Sequence, residues 1–378
     1  MKIIQIIQKP QLRGAEMFAS QLSNHLQAQG HEVVLVSLFK GAGELRFSGK
    51  QIHLGLASKL RWLDFAGFKS LAAIIKNEKP DIIQANAGDT LKYAVLSKLM
   101  HGWPQPIVFR NASMVSLYIK NPVIKKLNGF LYQNVEGIAS VSQQSKKDLN
   151  DLFPNTENKS KVIPIGIEPK LSEGPDTKSS LSKQSGDPER NESGKRELCI
   201  VHVGGFSFEK NHQGLLSIFK KLLKEYPNAQ LKLVGDGVLR KETEQLVQDT
   251  GITNYVEFLG FQSDPMHYVR QADVFVLPSI IEGLPGVILE AFDCQIPVVA
   301  YNVGGVGEVV KNEQTGILMK KGDEEGFVEA IIETIENPDA TKERVKRAYE
   351  LVQKDFRNEV IAEKFADYYK EVLDSRRL

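Results

Sequence analysis

The feature that most constrains the fold is an alternation of short apolar runs, rich in β-branched residues, with longer amphipathic stretches, and the chain shows it twice. Near-continuous apolar strands that alternate with helices are typical of a parallel sheet covered on both faces. The first series of strand candidates comprises residues 2–7, 32–38, 51–56, 81–86, 106–111, 137–142 and 161–166. The second comprises residues 197–205, 230–237, 256–261, 273–279, 297–302 and 316–321. We therefore predict an α/β protein with two doubly wound, Rossmann-like units.

A polar segment separates the two series. Residues 170–196 (KLSEGPDTKSSLSKQSGDPERNESGKR) contain almost no large apolar side chain and cannot bury enough surface to order themselves. This predicts an N-terminal domain over residues 1–169, a flexible linker or loop over 170–196 and a C-terminal domain over about 197–359. Because ligands of doubly wound sheets bind outside the carboxyl ends of the strands, two facing units predict a site in the cleft between them.

Several common kinds of site have no motif in this sequence. The two cysteines, Cys199 and Cys294, lack CxxC spacing, and the seven histidines form no HxH or HxxxH pair, so we expect no disulfide framework and no metal site. The first strand is not followed by the GxGxxG turn of dinucleotide-binding units, and no serine lies in a GxSxG turn. No apolar run approaches 18 residues, and the N-terminal one is too short for a signal peptide. We expect a cytoplasmic protein that is neither an oxidoreductase nor a serine hydrolase.

Charge is distributed unevenly along the chain. Residues 1–170 carry 22 Lys and Arg against 12 Asp and Glu, whereas the remainder carries 26 against 35. Basic and aromatic side chains mix in residues 59–76 (KLRWLDFAGFKSLAAIIK) and 121–132 (NPVIKKLNGFLY). One hypothesis is that this front half docks on anionic lipid at the inner face of a membrane; the alternative is a merely uneven surface above helices that pack in the core. No nucleic-acid recognition motif is present.

The second series contains the most informative segment, ADVFVLPSIIEGLPGVILEAFDCQIPVVAYNVGGVGEVV (272–310). Glu282 lies in the loop after a strand, and Pro285 and Gly286 suit the start of a helix, whose amides and dipole favour an anion. Glu290 falls one to two turns into that helix. Two carboxylates that flank a helix start suit a sugar phosphate, since carboxylates accept hydrogen bonds from hydroxyls and amides donate to phosphate.

This segment resembles the E-x7-E signature of the retaining glycosyltransferases of family 4, which have the GT-B fold of two doubly wound domains facing across a cleft. A second block, VHVGGFSFEKNH (201–212), is similar to that family's glycine turn and phosphate-binding lysine. The resemblance implies that Glu282 contacts the donor sugar, Lys210 the diphosphate and Glu290 the ribose. It also implies a final helix, from about residue 360 to 378, that packs back on the first domain. The implied donor-binding residues are Gly14, Gly204, Gly205, Gly260, Phe261, Gly283, Leu284, Pro285, Gly286, Val287 and Glu290.

The chain also departs from the family pattern. Gly205 stands where the family usually has arginine, for which Arg110 is a candidate substitute, and Asn111 occupies the usual histidine position. We count Asn111 with Glu282 and Lys210 as candidate catalytic residues, although asparagine cannot act as a base. Phe261 has two interpretations, a base contact or a core aromatic.

The resemblance implies transfer of a hexosyl unit, with retention and without cofactor or metal, from a UDP- or GDP-type sugar nucleotide to a glycan or lipid-linked acceptor, as in cell-surface polysaccharide or lipopolysaccharide synthesis. The alternatives are an epimerase or phosphorylase of the same fold and a non-catalytic sugar-nucleotide-binding protein. The departures at Gly205, Asn86 and Asn111 keep the last one open.

Overall fold

The computed structural model describes residues 1–12, 14–57, 63–169 and 198–376. The chain forms two compact units, one made of Met1–Glu168 with Phe356–Leu378 and the other of Pro169–Asp355. The linker that the sequence predicts over residues 170–196 lies outside the described residues. None of the described helices combines the length and the apolar character that crossing a membrane requires.

The first unit contains a parallel sheet in the order β3-β2-β1-β4-β5-β6-β7 with helices on both faces. Its strands are β1 (Lys2–Ile7), β2 (Glu32–Phe39), β3 (Lys50–Leu56), β4 (Ile82–Ala85), β5 (Ile107–Asn111), β6 (Gly137–Ser140) and β7 (Ser160–Val162). Its helices are α1 (Gly14–Ala28), α2 (Phe65–Glu78), α3 (Gly88–His101), α4 (Pro122–Gln133), α5 (Gln143–Leu152) and, after the second unit, α13 (Asn358–Asp374).

The second unit contains a parallel sheet in the order β10-β9-β8-β11-β12-β13. Its strands are β8 (Cys199–Val203), β9 (Gln230–Val234), β10 (Val256–Gly260), β11 (Val274–Leu277), β12 (Val298–Tyr301) and β13 (Ile317–Met319). Its helices are α6 (His212–Leu222), α7 (Arg240–Asp249), α8 (Met266–Val269), α9 (Gly286–Asp293), α10 (Val306–Val309), α11 (Glu324–Glu336) and α12 (Pro338–Asp355).

Alternation along the strands fills both faces of the first sheet. Ile107 and Phe109 of β5 belong to the core beneath α2, α3 and α4, whereas Val108 belongs to the core beneath α1 and α13. This follows from the two-residue period of a strand, which sends neighbouring side chains to opposite faces. The thirteen strand positions predicted from the sequence each carry a strand, and the prediction of two doubly wound units is confirmed.

The chain crosses between the units twice, and the two crossing segments lie side by side in the first unit. The backbone N–H of Ile167 donates to the carbonyl of Phe356 at 2.9 Å, and that of Asn358 donates to the carbonyl of Ile167 at 3.1 Å. The next helix, α13, packs against α1 and buries Phe365 beside Phe18, with ring centroids 6.1 Å apart. The final helix therefore belongs to the first unit.

One aromatic residue of the basic front half is buried, whereas the lipid hypothesis requires an exposed side chain. Phe68 is only 1% exposed and packs in the core with Leu71 and Ile75, because these positions share one face of α2. Phe65, three positions earlier in the same helix, is 58% exposed. Residues 58–62, which include Lys59, Arg61 and Trp62 of the same hypothesis, lie outside the described residues.

Candidate functional site

The candidate site of the second unit lies at the point where its sheet changes direction. Strand β8 pairs with β9 on one side and with β11 on the other, so the loops that follow β8 and β11 diverge at their carboxyl ends. Doubly wound sheets bind ligands at this switch point. The loop after β8 carries Lys210 and the loop after β11 carries Glu282, and Lys210 Nζ lies 2.6 Å from Glu282 Oε1. Both side chains are mostly shielded from solvent, with 21% and 11% of their surface exposed.

Backbone and side-chain hydrogen bonds fasten the two loops to each other. The N–H of Ile280 donates to the carbonyl of Glu209 at 2.8 Å, and Asn211 Nδ2 donates to the carbonyl of Pro278 at 3.1 Å. Asn211 also caps α6, since its Oδ1 accepts from the N–H of Gly214, and it does so with a left-handed φ of 54°. The loops therefore hold the Lys210–Glu282 pair in place without relying on that pair alone.

Helix α9 begins directly beside this pair. Pro285 is its N-cap, and Gly286 and Val287 are its first two residues, whose N–H groups have no acceptor within the helix. Leu284 and Pro285 are buried, and the carbonyl of Gly283 accepts from the N–H of Gly305 at 2.9 Å, which ties this loop to the glycine loop after β12. Glu290 is the fifth residue of α9 and is partly exposed.

Close backbone approach explains the glycines around the turn after β8. A Cβ on Gly235, whose φ is 142°, would lie 2.0 Å from the carbonyl oxygen of Gly204, so no other residue fits there without movement. Gly205 is different, because a Cβ there would meet only the carbonyl of Asp236, at 3.4 Å. The structure thus has room for a side chain at position 205.

Two buried histidines lie beneath this turn, and the sequence analysis did not single them out. His202 is fully buried in β8 and its Nδ1 donates to the carbonyl of Val276 at 2.9 Å, while His212 stacks on Phe206 with ring centroids 4.0 Å apart. Burial lowers the pKa of His202 well below its ordinary value and that of His212 to about 4. Both rings are therefore neutral near pH 7, and two uncharged imidazoles lie beside Lys210. The sequence signal that could have identified His202 is its place inside the apolar run IVHVGG.

The loop after β10 carries the remaining predicted residues of this unit. Gly260 has a φ of 66°, and its carbonyl accepts from the N–H of Gly235 at 2.8 Å. Phe261 is 56% exposed, so its interpretation as a core aromatic is wrong. An exposed ring at the carboxyl edge of the sheet can stack on a planar group.

The predicted residues of the first unit are placed differently. Gly14 is the first residue of α1, in the loop region after β1. Asn111 ends β5 but is 1% exposed, and its Nδ2 donates to the carbonyl of Ser145 at 3.1 Å, so its amide is engaged within the unit. Asn86 is 3% exposed and is bonded to Gln5 and Gln84. A catalytic role for Asn111 remains a prediction.

The arrangement in the second unit suits a ligand that is anionic at one end and hydroxylated at the other. A lysine and helix amides attract phosphate, and a carboxylate 2.6 Å from that lysine accepts hydrogen bonds from hydroxyls. Within the described ranges, no three His, Cys, Asp or Glu side chains are grouped as metal ligands would be.

Known proteins match along most of this chain. The family models described as Glycosyltransferase Family 4 and Glycosyl transferases group 1 match residues 12–171 and 184–351. The N-acetyl-alpha-D-glucosaminyl L-malate synthase of Bacillus anthracis is 25% identical over 96% of this chain and 95% of its own length. An uncharacterized glycosyltransferase of Methanocaldococcus jannaschii, MJ1059, is 24% identical, and the chain spans 57% of its length. The lipopolysaccharide core biosynthesis glycosyltransferase LpsE of Rhizobium meliloti is 29% identical over 47% of this chain and 50% of its own length.

Solved structures share the architecture. The crystal structure of Anabaena Alr3699/HepE in complex with UDP and glucose has a TM-score of 0.82 and 21% identity, with 98% of this chain and 100% of that one covered. A sequence identity of 21% shows a shared fold and no more. That fold agrees with the two parallel sheets described above. The two matched family models and the two doubly wound sheets show that this chain belongs to the glycosyltransferases of the GT-B type.

Proposed function

We propose that the chain transfers a hexosyl unit from a nucleoside diphosphate sugar to a hydroxyl group of a glycan or lipid-linked acceptor, with retention of configuration and without a metal or cofactor. The observation that carries the proposal is the Lys210–Glu282 pair, 2.6 Å apart, at the switch point of the second sheet and beside the start of α9. This geometry favours a phosphate and a sugar hydroxyl side by side.

Each group has a distinct task in the proposed reaction. Lys210 and the amides of Gly286 and Val287 stabilise the charge that grows on the leaving diphosphate as the bond between the sugar C1 and the phosphate oxygen breaks. Glu282 accepts hydrogen bonds from the sugar and orients C1 toward the acceptor hydroxyl. The bond from C1 to the acceptor oxygen forms on the same face, and the departing diphosphate oxygen takes the acceptor proton.

The nucleoside half of the donor has two candidate contacts. We propose that Glu290, one turn into α9, accepts hydrogen bonds from ribose hydroxyls and that the exposed ring of Phe261 stacks on the base. A planar ring stacks on any base, so these contacts leave UDP and GDP sugars equally acceptable. The relatives in lipopolysaccharide core biosynthesis support a place in cell-surface polysaccharide synthesis.

Replacing Glu282 tests the proposal. Glu282→Gln keeps the size of the side chain but removes the charge, and we expect the transfer rate to fall about 10²–10³-fold. Glu308→Gln, in the short helix α10, is the matched control. Transfer by E282Q within twofold of wild type would remove Glu282 from the mechanism.

Product analysis separates the alternatives. A transferase releases nucleoside diphosphate and forms a glycoside only when acceptor is present, whereas an epimerase converts the sugar nucleotide without acceptor and a phosphorylase requires inorganic phosphate. A non-catalytic binder would bind the sugar nucleotide, show no turnover and lose only affinity on the E282Q change. Equal turnover with and without EDTA is expected from a metal-independent enzyme.

We further propose that the first unit docks on anionic lipid through the start of α4. Val123 and Ile124 are 72% and 47% exposed, and Lys125 and Lys126 beside them are exposed as well. Phe65, at the start of α2, adds an exposed ring at the same edge, since helices that follow parallel strands all begin at the strands' carboxyl ends. Apolar side chains flanked by lysines fit a negatively charged bilayer surface.

Vesicle flotation tests this surface. Wild-type protein is expected to float with vesicles that contain anionic lipid at low salt and to be released at high salt. The double variant Val123→Glu with Ile124→Glu should lose binding. The matched control, Leu99→Glu with Met100→Glu, changes two exposed apolar residues at the opposite end of the helix layer and should float like wild type. Salt-independent binding, or equal loss in both variants, would argue against lipid docking through α4.

A further inference from the structure

Arg110 is a buried cation without a polar partner. Only 4% of its surface is exposed, and its Nε and Nη1 atoms are sealed from solvent without a hydrogen-bond partner. Across the part of the chain that the structure describes, Glu16 acts on its guanidinium only through space and makes no hydrogen bond to it. Buried charges are normally paired and hydrogen-bonded because an unpaired one is costly, so this side chain requires an explanation.

The guanidinium lies at the carboxyl edge of the first sheet, beside the start of α1. Arg110 is the fourth residue of β5 and points to the same face as Val108, the face that α1 and α13 cover. Its central carbon lies 4.3 Å from the ring centroid of Phe18, the fifth residue of α1. The N–H groups of the first turn of α1, from Gly14 onward, have no acceptor within the helix.

Nearby groups do not neutralise the guanidinium. Glu16, 5% exposed in the first turn of α1, attracts it through space and raises its pKa, but burial dominates and lowers the pKa of Arg110 to about 10. Arg110 is therefore still protonated near pH 7. The positive end of α1 adds to this field, so an incoming anion would gain from both the side chain and the helix.

We propose that Arg110, together with the first-turn amides of α1, binds a phosphate group of a substrate in the first unit. The inference rests on the proposed function, since the phosphate belongs either to an acceptor or to the leaving diphosphate. Because Nε and Nη1 are sealed, the remaining guanidinium nitrogen, Nη2, is the atom through which the phosphate would be bound. The rival account is that Arg110 is a structural cation balanced through space by Glu16.

Calorimetric titration with inorganic phosphate tests the site, and it is done in the Lys210→Met background so that the cation of the second unit does not contribute. In this background we expect phosphate to bind, Arg110→Met to weaken its affinity at least tenfold and Arg110→Lys to retain part of it. Phosphate affinity that stays within twofold in the Arg110→Met protein would overturn the proposal. So would an absence of phosphate binding before Arg110 is changed.

Thermal unfolding in sodium chloride provides a second readout that does not depend on a ligand. If the buried guanidinium is held for binding, Arg110→Met removes an uncompensated charge and should raise the melting temperature. If Arg110 is instead a structural partner of Glu16 and Phe18, Arg110→Met should lower the melting temperature. A lower melting temperature counts against the proposal even if the variant also loses phosphate binding.

Two further probes identify the source of the phosphate. Glycerol 1-phosphate represents an acceptor-type phosphomonoester, and UDP represents the leaving group. A larger loss of glycerol 1-phosphate affinity in Arg110→Met assigns the site to an acceptor, and a larger loss of UDP affinity assigns it to the diphosphate. These titrations need no turnover, so they remain decisive if transfer is never observed, and E282Q tests the proposed function separately.

Discussion

At the scale of single residues, the second unit is organised by close backbone contacts as much as by charge. The Lys210–Glu282 pair is supported by loops that hydrogen-bond to each other. The turn after β8 also approaches the end of β9 closely enough to require glycine at position 235. Lys210 and Glu282 are thus held by the protein itself, and the proposed function requires preorganised groups of this kind for electrostatic stabilisation of a transition state.

The glycine requirement gives a stability prediction. Gly235→Ala places a Cβ 2.0 Å from the carbonyl oxygen of Gly204 at a φ of 142°. We expect a loss of at least about 2 kcal/mol in the free energy of unfolding, measured by urea denaturation. Gly88→Ala is the control, since a Cβ there meets nothing within 4 Å. Equal stability of the two variants would contradict the contact.

Sequence reasoning located some of these residues and not others, for physical reasons. Glu282 and Lys210 stand in local motifs, so their elements could be identified from the sequence. The hydrogen bond of His202 joins positions 74 residues apart along the chain, and no local pattern encodes it. His212 stacks on Phe206, only six residues away, but this contact depends on the turn after β8. The lipid hypothesis grouped Phe65 and Phe68 together, whereas the helical period exposes Phe65 and buries Phe68.

At the scale of elements, a polar contact fastens the first crossing of the chain to the helices around it. Glu168 accepts hydrogen bonds from Asn358 Nδ2 at 2.7 Å and from His25 Nε2 at 2.9 Å. The hydrogen bond to Glu168 raises the pKa of His25 despite partial burial. The strand periodicity predicted the elements, but this contact depends on three segments distant in sequence.

The raised pKa of His25 predicts a pH dependence. The protonated histidine is stabilised in the folded state, so its contribution is fully present below the ordinary pKa near 6.5 and is lost as the pH rises through the raised value. His25→Gln should therefore cost most stability at low pH and progressively less above neutrality, as measured by urea denaturation across pH 5–9. His101→Gln, an exposed histidine at the end of α3, is the control. A penalty that grows with pH would have the wrong sign.

At the scale of the whole molecule, α13 closes the core of the first unit with residues from the far end of the chain. Tyr369 is fully buried; its hydroxyl donates to Gln84 Oε1 at 2.5 Å and accepts from Gln5 Nε2 at 3.1 Å. The C-terminal helix is thus bonded to strands β1 and β4 at the centre of the first sheet. The family resemblance implied a final helix over about residues 360–378 that packs back on the first domain, but its polar partners could not be read from the sequence.

Removing the Tyr369 hydroxyl tests this connection. Tyr369→Phe leaves a buried donor and a buried acceptor without their partner, and we expect a loss of about 1–3 kcal/mol in unfolding free energy. Tyr349→Phe is the matched control, because the hydroxyl of Tyr349 bonds to nothing in the described ranges. Chemical denaturation followed by tryptophan fluorescence reports the change, because both tryptophans, Trp62 and Trp103, fall within the residue range of the first unit. Equal midpoints for the two variants would contradict the proposed role of the hydroxyl.

The second unit is proposed to bind the nucleoside diphosphate sugar through Lys210 and Glu282. The most direct measurement is release of free nucleoside diphosphate from UDP-, GDP- and ADP-hexoses by the full chain with lipid-linked glycan acceptors, alongside titration of the same donors. We predict that at least one donor binds and turns over, that Lys210→Met and Glu282→Gln each lower turnover about 10²–10³-fold, and that both variants remain folded. Turnover that survives both changes would contradict the account.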